Sequence, residues 1–142
     1  MTVRWLLDTN VLSEPARERP SLAVLYRWDE HEGRVVTAAP VVHEMRYGCA
    51  RLPRSRKRDE YRGYLENEIL PFVPVLSYDL AAAEWHAEQR ARLVRQGKTP
   101  SFVDGQIAAI AAVNDCVLVT RNTHDFQEFQ GLTVEDWFST ES

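Results

Sequence analysis

The chain has 142 residues, enough for one domain with a hydrophobic core and too few for two domains of ordinary size. Its composition, 44% hydrophobic and 27% charged, is typical of a folded protein rather than a disordered one. A net charge of −4 argues against nonspecific coating of nucleic acid, but not against an enzyme with a local basic patch and a bound cation. The sequence lacks a signal-peptide pattern and an apolar run of roughly 18–20 residues, so we expect a cytoplasmic protein without a membrane span.

Short apolar runs typical of strands alternate with longer runs of helical periodicity. In chain order, the predicted elements are a strand at Val3–Leu7, a helix at Ser21–His31, a strand at Val35–Ala38, a helix at Pro40–Ala50, a strand at Phe72–Leu76, a helix at Ser77–Gln96 with Ser77 as N-cap, a helix at Ser101–Val113 and a strand at Cys116–Thr120. Strands that are apolar throughout are typical of a parallel sheet that helices cover on both faces.

This alternation predicts an α/β fold, a three-layer α/β/α sandwich around a mostly parallel sheet of four to five strands. We expect one domain that comprises residues 1–142. Near the C-terminus, the segment LTVEDWF is compatible with a short edge strand or with an apolar tail packed on the domain. The two cysteines, Cys49 and Cys116, have no CxxC spacing, so we expect buried thiols rather than a disulfide or a zinc site.

Four acidic residues stand where such a fold places active sites. Asp8 follows the first strand and Asp125 comes shortly after the last, whereas Glu44 and Asp104 lie near the beginnings of helices. Active sites of open parallel sheets gather beyond the carboxyl ends of the strands, so these acids can converge there. Converging carboxylates need a compensating cation, and oxygen ligands favour Mg²⁺ or Mn²⁺ over Zn²⁺. Such a site suits the hydrolysis of a phosphodiester.

Each acid also has a purely structural interpretation. Asp8 is compatible with an Asx turn or a helix cap, and Asp125 with an N-cap in a loop. Glu44 is compatible with a first-turn acid that complements the helix dipole. Asp104 stands three residues after Ser101, the spacing of a capping box. The joint placement of the four acids therefore favours a shared site more strongly than any single acid does.

Four segments carry a resemblance to a known family: LLDTNVLSE, VVHEMRYG, SFVDGQIAAIA and LVTRNTHDF. In order and approximate separation they resemble the four acidic motifs of PIN-domain ribonucleases, and most closely those of VapC-type toxins of the FitB-like branch. The resemblance implies that a metal-binding catalytic centre is formed by Asp8, Glu44, Asp104 and Asp125. It also implies that Asn10 and Thr120 support the acids, and that Arg121 and Asn122 belong to a loop that contacts substrate or supports the site.

The resemblance has further implications for activity and partners. It implies Mg²⁺ or Mn²⁺ as cofactor, endonucleolytic cleavage of RNA, a homodimer, and inhibition by a cognate antitoxin. His43 and His124 flank two of the acids, but we expect them to face solvent or to support the site rather than to bind metal. Glu14 is compatible with the acidic pocket or with a surface position on the helix after Asn10, and we leave it unassigned.

A basic run follows the helix that carries Glu44. We predict that RNA phosphates bind to this patch through Arg54, Arg56, Lys57 and Arg58. A solvated helix face, or a surface for dimerisation or for the antitoxin, is the alternative explanation of the same charges.

Two other functions compete with a toxin ribonuclease. One is a phosphatase of the haloacid dehalogenase type, because an apolar strand ending in Asp8 resembles its nucleophile strand. Asn10 stands where that family has a second Asp, which counts against this hypothesis. The other is a catalytically silent module that binds RNA or a protein partner, and the presence of all four acids counts against it.

Overall fold

A computed structural model describes residues 2–139. Within this range the chain forms one parallel sheet of five strands in the order β3-β2-β1-β4-β5, with helices packed around it. The strands are β1 (Arg4–Leu7), β2 (Val35–Ala38), β3 (Val75–Leu76), β4 (Cys116–Val119) and β5 (Val134–Glu135). The helices are α1 (Thr9–Leu12), α2 (Leu22–Glu30), α3 (Ala39–Ala50), α4 (Arg56–Gly63), α5 (Leu80–Arg95) and α6 (Phe102–Val113). The predicted α/β/α sandwich is confirmed, and every strand pair in the sheet is parallel.

The central strands are buried because their apolar side chains meet helices on both faces of the sheet. In β1, Leu6 pairs with Val36 of β2 on one side and with Leu118 of β4 on the other. All three side chains belong to the hydrophobic core. Burial of such side chains on both faces is the largest favourable contribution to the folding of a parallel sheet.

The strand order places a topological switch point between β1 and β4. From β1 the chain adds β2 and β3 on one side, and it then returns to form β4 and β5 on the other. Loops that leave the carboxyl ends of β1 and β4 therefore diverge, which opens a crevice at this edge of the sheet. Asp8 and Thr120 are the residues that immediately follow these two strands.

The third strand is shorter than the predicted Phe72–Leu76. Phe72 and Val73 donate backbone hydrogen bonds to the carbonyl of Ile69 and so belong to the turn before the strand. Pro74 has no backbone N–H with which to extend the ladder, and its carbonyl accepts from Thr37 of β2. Only two residues, Val75 and Leu76, pair with β2 as a strand.

The predicted N-cap of α5 is wrong by two residues. The helix begins at Leu80, and the carboxylate of Asp79 accepts a hydrogen bond from the backbone N–H of Ala82 at 3.0 Å. Ser77 is exposed and precedes the helix. The capping position is therefore set by Asp79, whose charge also complements the helix dipole.

The C-terminal segment LTVEDWF contains both of the structures predicted as alternatives for it, an edge strand and a packed apolar tail. Val134 and Glu135 form the edge strand β5, which pairs in parallel with β4. Trp137, two residues later, is completely buried, and its indole N–H donates to the carboxylate of Glu135. The segment is thus an edge strand followed by a packed apolar tail.

A π-helix connects α4 to β3 and was not expected from the sequence. It comprises Tyr64–Ile69, and its Leu65 and Ile69 are buried in the core. The phenol of Tyr64 donates a hydrogen bond of 2.7 Å to the carbonyl of Leu12, which ties this segment to α1.

Two other expectations from composition can be compared with the structure. Cys49 and Cys116 are free and buried, as predicted. None of the helices between residues 2 and 139 has the length and apolar character that crossing a membrane requires. The predicted domain of residues 1–142 includes one N-terminal and three C-terminal residues that lie outside the described range.

Candidate active site

Asp8 lies at the switch point, where the residue is only 7% exposed. One carboxylate oxygen accepts the backbone N–H of Thr9 at 2.8 Å and thereby caps α1. The other accepts the hydroxyl of Thr120 at 2.8 Å, which joins the ends of β1 and β4. Burial raises the pKa of Asp8 above 3.8, the two hydrogen bonds lower it, and the negative charge of Asp125 raises it again. Asp8 therefore caps α1, as one of its structural interpretations predicted, and also lies in the crevice near the negative charge of Asp125.

The loop after β4 is organised around the same pair. The amide of Asn10 lies 3.5 Å from the hydroxyl of Thr120, and its carbonyl oxygen accepts the backbone N–H of Arg121 at 3.0 Å. The backbone N–H of Asn122 donates to the same hydroxyl at 3.1 Å. Asn10 and Thr120 thus fix the path of the loop. Asn122 takes part through its backbone, whereas the side chain of Arg121 stacks on Phe138 at 4.4 Å.

Glu44 is connected to Asp8 through a residue that the sequence analysis did not single out. The hydroxyl of Thr9 donates to the carboxylate of Glu44 at 2.9 Å, across 35 residues of sequence. Glu44 lies in the second turn of α3, because that helix already begins at Ala39. The alternative interpretation of Glu44 as a first-turn acid is therefore wrong. A hydroxyl next to Asp8 in the DTN sequence was the available signal for Thr9.

Asp104 and Asp125 complete the set of acids. Asp104 stands in the first turn of α6, where Ser101 caps the helix by accepting the backbone N–H of Asp104 at 3.0 Å. Asp125 is exposed in a 3₁₀ turn, Thr123–Phe126. The pKa of Asp104 is raised to about 6, first by burial and then by the charges of Asp8, Asp125 and Glu44, while the Ser101 hydrogen bond opposes the rise. The four carboxylates therefore share one field of negative charge.

The chemistry of this donor set decides which cation it fits. Across residues 2–139, no three side chains of His, Cys, Asp or Glu are arranged to enclose one ion directly. Asp125 nevertheless raises the pKa of Asp8, and the charges of Asp8, Asp125 and Glu44 raise the pKa of Asp104, so a cation among them relieves repulsion. A hydrated Mg²⁺ needs only one or two direct carboxylates and keeps several waters. Oxygen-only donors at this spacing therefore suit a hydrated hard cation and not a zinc cage.

The residues that the sequence left unassigned have other roles. Glu14 is buried, accepts the backbone N–H of Ser21 at 2.8 Å and pairs with Arg17, so it organises the segment before α2. His43 stacks on Tyr47 along the exposed side of α3. A ring nitrogen of His124 lies 3.1 Å from the side-chain amide of Gln127 on the surface.

The predicted basic patch lies on α4 and its N-terminal side, and its members face different surroundings. Arg54 and Arg58 line a cavity of about 330 Å³, together with Arg62. Arg56 forms an exposed ion pair with Glu60 at 3.1 Å. Lys57 lines a separate cavity of about 740 Å³ beside the segment after α1. The patch is thus divided between two surfaces of α4.

Comparison with known proteins identifies the class to which this fold and its acidic crevice belong. The PIN domain family matches residues 5–132, which is most of the chain. The chain therefore belongs to the PIN domain family, as the acidic motifs predicted. This membership decides against the haloacid dehalogenase hypothesis.

Individual relatives resemble the chain over nearly its whole length. Plasmid stability protein StbB of Pseudomonas syringae is 37% identical, with 91% of this chain and 94% of that protein covered. VapC ribonuclease Y4jK of Sinorhizobium fredii is 35% identical, with the same coverage of 91% and 94%. The tRNA(fMet)-specific endonuclease VapC of Shigella flexneri is 30% identical, with 95% of this chain and 98% of that protein covered.

Solved structures with the same fold come from toxin–antitoxin complexes. FitAB bound to a DNA fragment superposes with a TM-score of 0.88 at 33% identity, covering 97% of this chain and 98% of that chain. DNA-bound VapBC from Salmonella typhimurium superposes with a TM-score of 0.83 at 27% identity, covering 96% and 99%.

Proposed function

We propose that this protein is a Mg²⁺- or Mn²⁺-dependent endoribonuclease that acts as the toxin of a toxin–antitoxin pair. The observation that carries the proposal is the shared field of Asp8, Glu44, Asp104 and Asp125 at the switch point of a PIN domain. Relatives named as ribonucleases and endonucleases, similar over nearly the whole chain, support the reaction class.

The four acids would hold the cation. Bound there, a divalent ion neutralises charge that develops at a phosphoryl group and makes water a stronger nucleophile. Asp8 is the central acid, because Thr9 and Thr120 orient both of its oxygens. Asp125 is the exposed acid, and we infer that it acts through water rather than by direct coordination.

The remaining polar groups serve to hold and orient the substrate. Asn10 and Thr120 fix the backbone of the loop that carries Arg121 and Asn122. We infer that the Arg121 guanidinium, which stacks on Phe138, contacts RNA. The patch formed by Arg54, Arg56, Lys57 and Arg58, on α4 and just before it, supplies local positive charge to a chain whose net charge is −4. Phosphate contacts of this kind position RNA without reading its sequence.

We also infer the partners of such a toxin. The structural relatives are complexes of a toxin with its antitoxin, which supports a cognate antitoxin for this chain. A homodimer and a cytoplasmic location are the corresponding expectations for its assembly and its site of action.

Cleavage of RNA by the purified protein tests the enzymatic part of the proposal. We expect cleavage with Mg²⁺ or Mn²⁺ and none in excess chelator. Asp8→Asn should abolish cleavage while retaining the fold, because Asn is also a good N-cap for α1. Undiminished cleavage by Asp8→Asn, or in chelator, would refute the mechanism. RNA binding without any cleavage would instead favour a silent binding module.

Growth of cells that express the chain tests the toxin role. We expect growth arrest that Asp104→Asn relieves and that co-expression of a small protein encoded immediately upstream also relieves. Arrest that persists in the Asp104→Asn variant would contradict a toxic activity based on this site.

A further inference from the structure

Gly105, the residue after Asp104, has no room for a side chain. A Cβ atom built at this position overlaps Nε2 of His86 and lies 2.6 Å from its Cδ2. The backbone of Gly105 has no unusual φ, and glycine is among the poorest helix formers. Its presence in the first turn of α6 is therefore explained by the close approach of α5, not by backbone conformation.

The ring that occupies this space is held in place from two further directions. His86 projects from α5 and is only 3% exposed. Its Nδ1 lies 2.8 Å from the phenol oxygen of Tyr78, in hydrogen-bonding contact. Its ring packs against that of Phe102, with 4.8 Å between the centroids. A buried ring with these contacts is a fixed wedge between α5 and the first turn of α6.

This wedge acts on the part of α6 that carries Asp104. Neighbouring residues of a helix point about 100° apart, so Gly105 can face α5 while Asp104 faces the other acids. Asp104 is repelled there by Asp8 and Asp125. The turn is held by the Ser101 cap at its N-terminus and by the glycine–histidine contact on its α5 side.

We infer that His86 is a positioning residue for the active site. It fixes the separation between α5 and the first turn of α6, and through Gly105 it sets where Asp104 stands for cation binding. Tyr78 contributes by fixing the orientation of the imidazole. This inference rests on the proposed function, because it assigns Asp104 to a divalent cation.

Mn²⁺ binding to the folded protein, measured by electron paramagnetic resonance of the free ion, tests the inference. Gly105→Ala forces the ring or the turn to move, so we expect the Mn²⁺ Kd to weaken by roughly 10- to 100-fold, as for other changes that misplace ligands. The matched control is Gly48→Ala in α3, where a Cβ has nothing within 4 Å and Mn²⁺ affinity should equal that of the wild type.

A double variant separates this contact from general damage. His86→Ala removes the wedge and should weaken Mn²⁺ binding by itself. Combined with Gly105→Ala it should bind Mn²⁺ more tightly than Gly105→Ala alone, because the new methyl group occupies space that the ring has left. Equal affinities of the double variant and Gly105→Ala would overturn the inference.

If the contact between His86 and Gly105 serves stability alone, Gly105→Ala should have a lower melting temperature but an unchanged Mn²⁺ affinity in its folded form. That result would also overturn the inference. If wild-type protein binds no Mn²⁺, the proposed function fails and the inference fails with it.

If Gly105→Ala does not fold, Tyr78→Phe tests the inference instead, because it keeps the aromatic ring of residue 78 and removes the hydrogen bond to His86. We expect a smaller loss of Mn²⁺ affinity there, and no loss would refute the role of the wedge.

Discussion

The pKa of Asp8 is set by effects that oppose one another. Burial disfavours its ionised form, and the charge of Asp125 adds to this effect. The backbone N–H of Thr9 and the hydroxyl of Thr120 oppose both by donating to its two oxygens. Because the hydroxyl of Thr120 is itself buried, its hydrogen bond is well shielded from water. Removal of this hydrogen bond should therefore lower the free energy of unfolding.

Replacement of this hydroxyl by a methyl group tests the assignment. Thr120→Val keeps the size and β-branching of the side chain but leaves one oxygen of Asp8 and the N–H of Asn122 without their donor or acceptor. We expect a loss of about 1–3 kcal/mol in the free energy of unfolding, measured by urea denaturation. The pKa of Asp8 should rise, so the acid limb of the pH profile of RNA cleavage should move to higher pH.

The control for this prediction is Thr99→Val, at an exposed threonine in the loop before α6. It should leave the unfolding free energy within about 0.5 kcal/mol of the wild type and the pH profile unchanged. An unshifted acid limb in Thr120→Val would mean that Asp8 does not govern the activity.

At the scale of single residues, the sequence was informative where a motif or a strand end marks a side chain. Asp8 follows one predicted strand and Thr120 is the last residue of another, so their meeting at one edge of the sheet could be expected. Thr9 could not be assigned, because its contact with Glu44 depends on how α1 packs against α3. The contact between Gly105 and His86 depends in the same way on the packing of α5 against α6.

At the scale of elements, the presence of a helix or strand was easier to predict than the residues at which it begins and ends. The central strands and the long helices have strong periodic patterns, whereas a strand end depends on which backbone groups find partners. β3 begins only at Val75 because Phe72 and Val73 bond back to Ile69. The π-helix has no simple sequence signature, and its position is fixed by contacts such as that of Tyr64 with Leu12.

The N-terminus of α5 gives a prediction at this scale. Asp79→Ala removes the acceptor for the N–H of Ala82 and a charge that is favourable at the helix start, so we expect a loss of about 1 kcal/mol in unfolding free energy. Ser77→Ala, the alternative cap, should have an effect within about 0.5 kcal/mol of zero. Urea denaturation with unchanged m-values is the measurement. A larger loss in Ser77→Ala than in Asp79→Ala would contradict the observed cap.

At the scale of the whole molecule, the fold brings acidic side chains together in one place and basic side chains together in another. The acids at the switch point come from the segments that follow β1 and β4 and from α3 and α6, which only the completed sheet brings together. A local cluster of positive charge lies on α4 and just before it, with Arg54 and Arg58 around one cavity. The molecule thus keeps its cluster of acids apart from a basic surface, and in the proposed function the first would hold a cation and the second would contact phosphates.

The pH dependence of stability follows from this crowding of acids. Asp104 ionises at a pKa of about 6 in the folded protein, against an ordinary value of 3.8, so the folded state binds more protons than the unfolded state between these values. Stability contributed by this group is therefore present at low pH and is lost as pH rises through about 6. Removal of the charge by Asp104→Asn should abolish that loss.

We expect the melting temperatures of Asp104→Asn and wild type to be similar near pH 4, with the variant increasingly more stable towards pH 7. Mg²⁺ should reverse this order by stabilising the wild type more than the variant, because a ligand that binds only the folded state adds to its stability. Glu88→Gln removes one exposed charge from α5 and should show neither effect. A difference between Asp104→Asn and wild type that does not change between pH 4 and 7 would show that Asp104 is not held in a repulsive field.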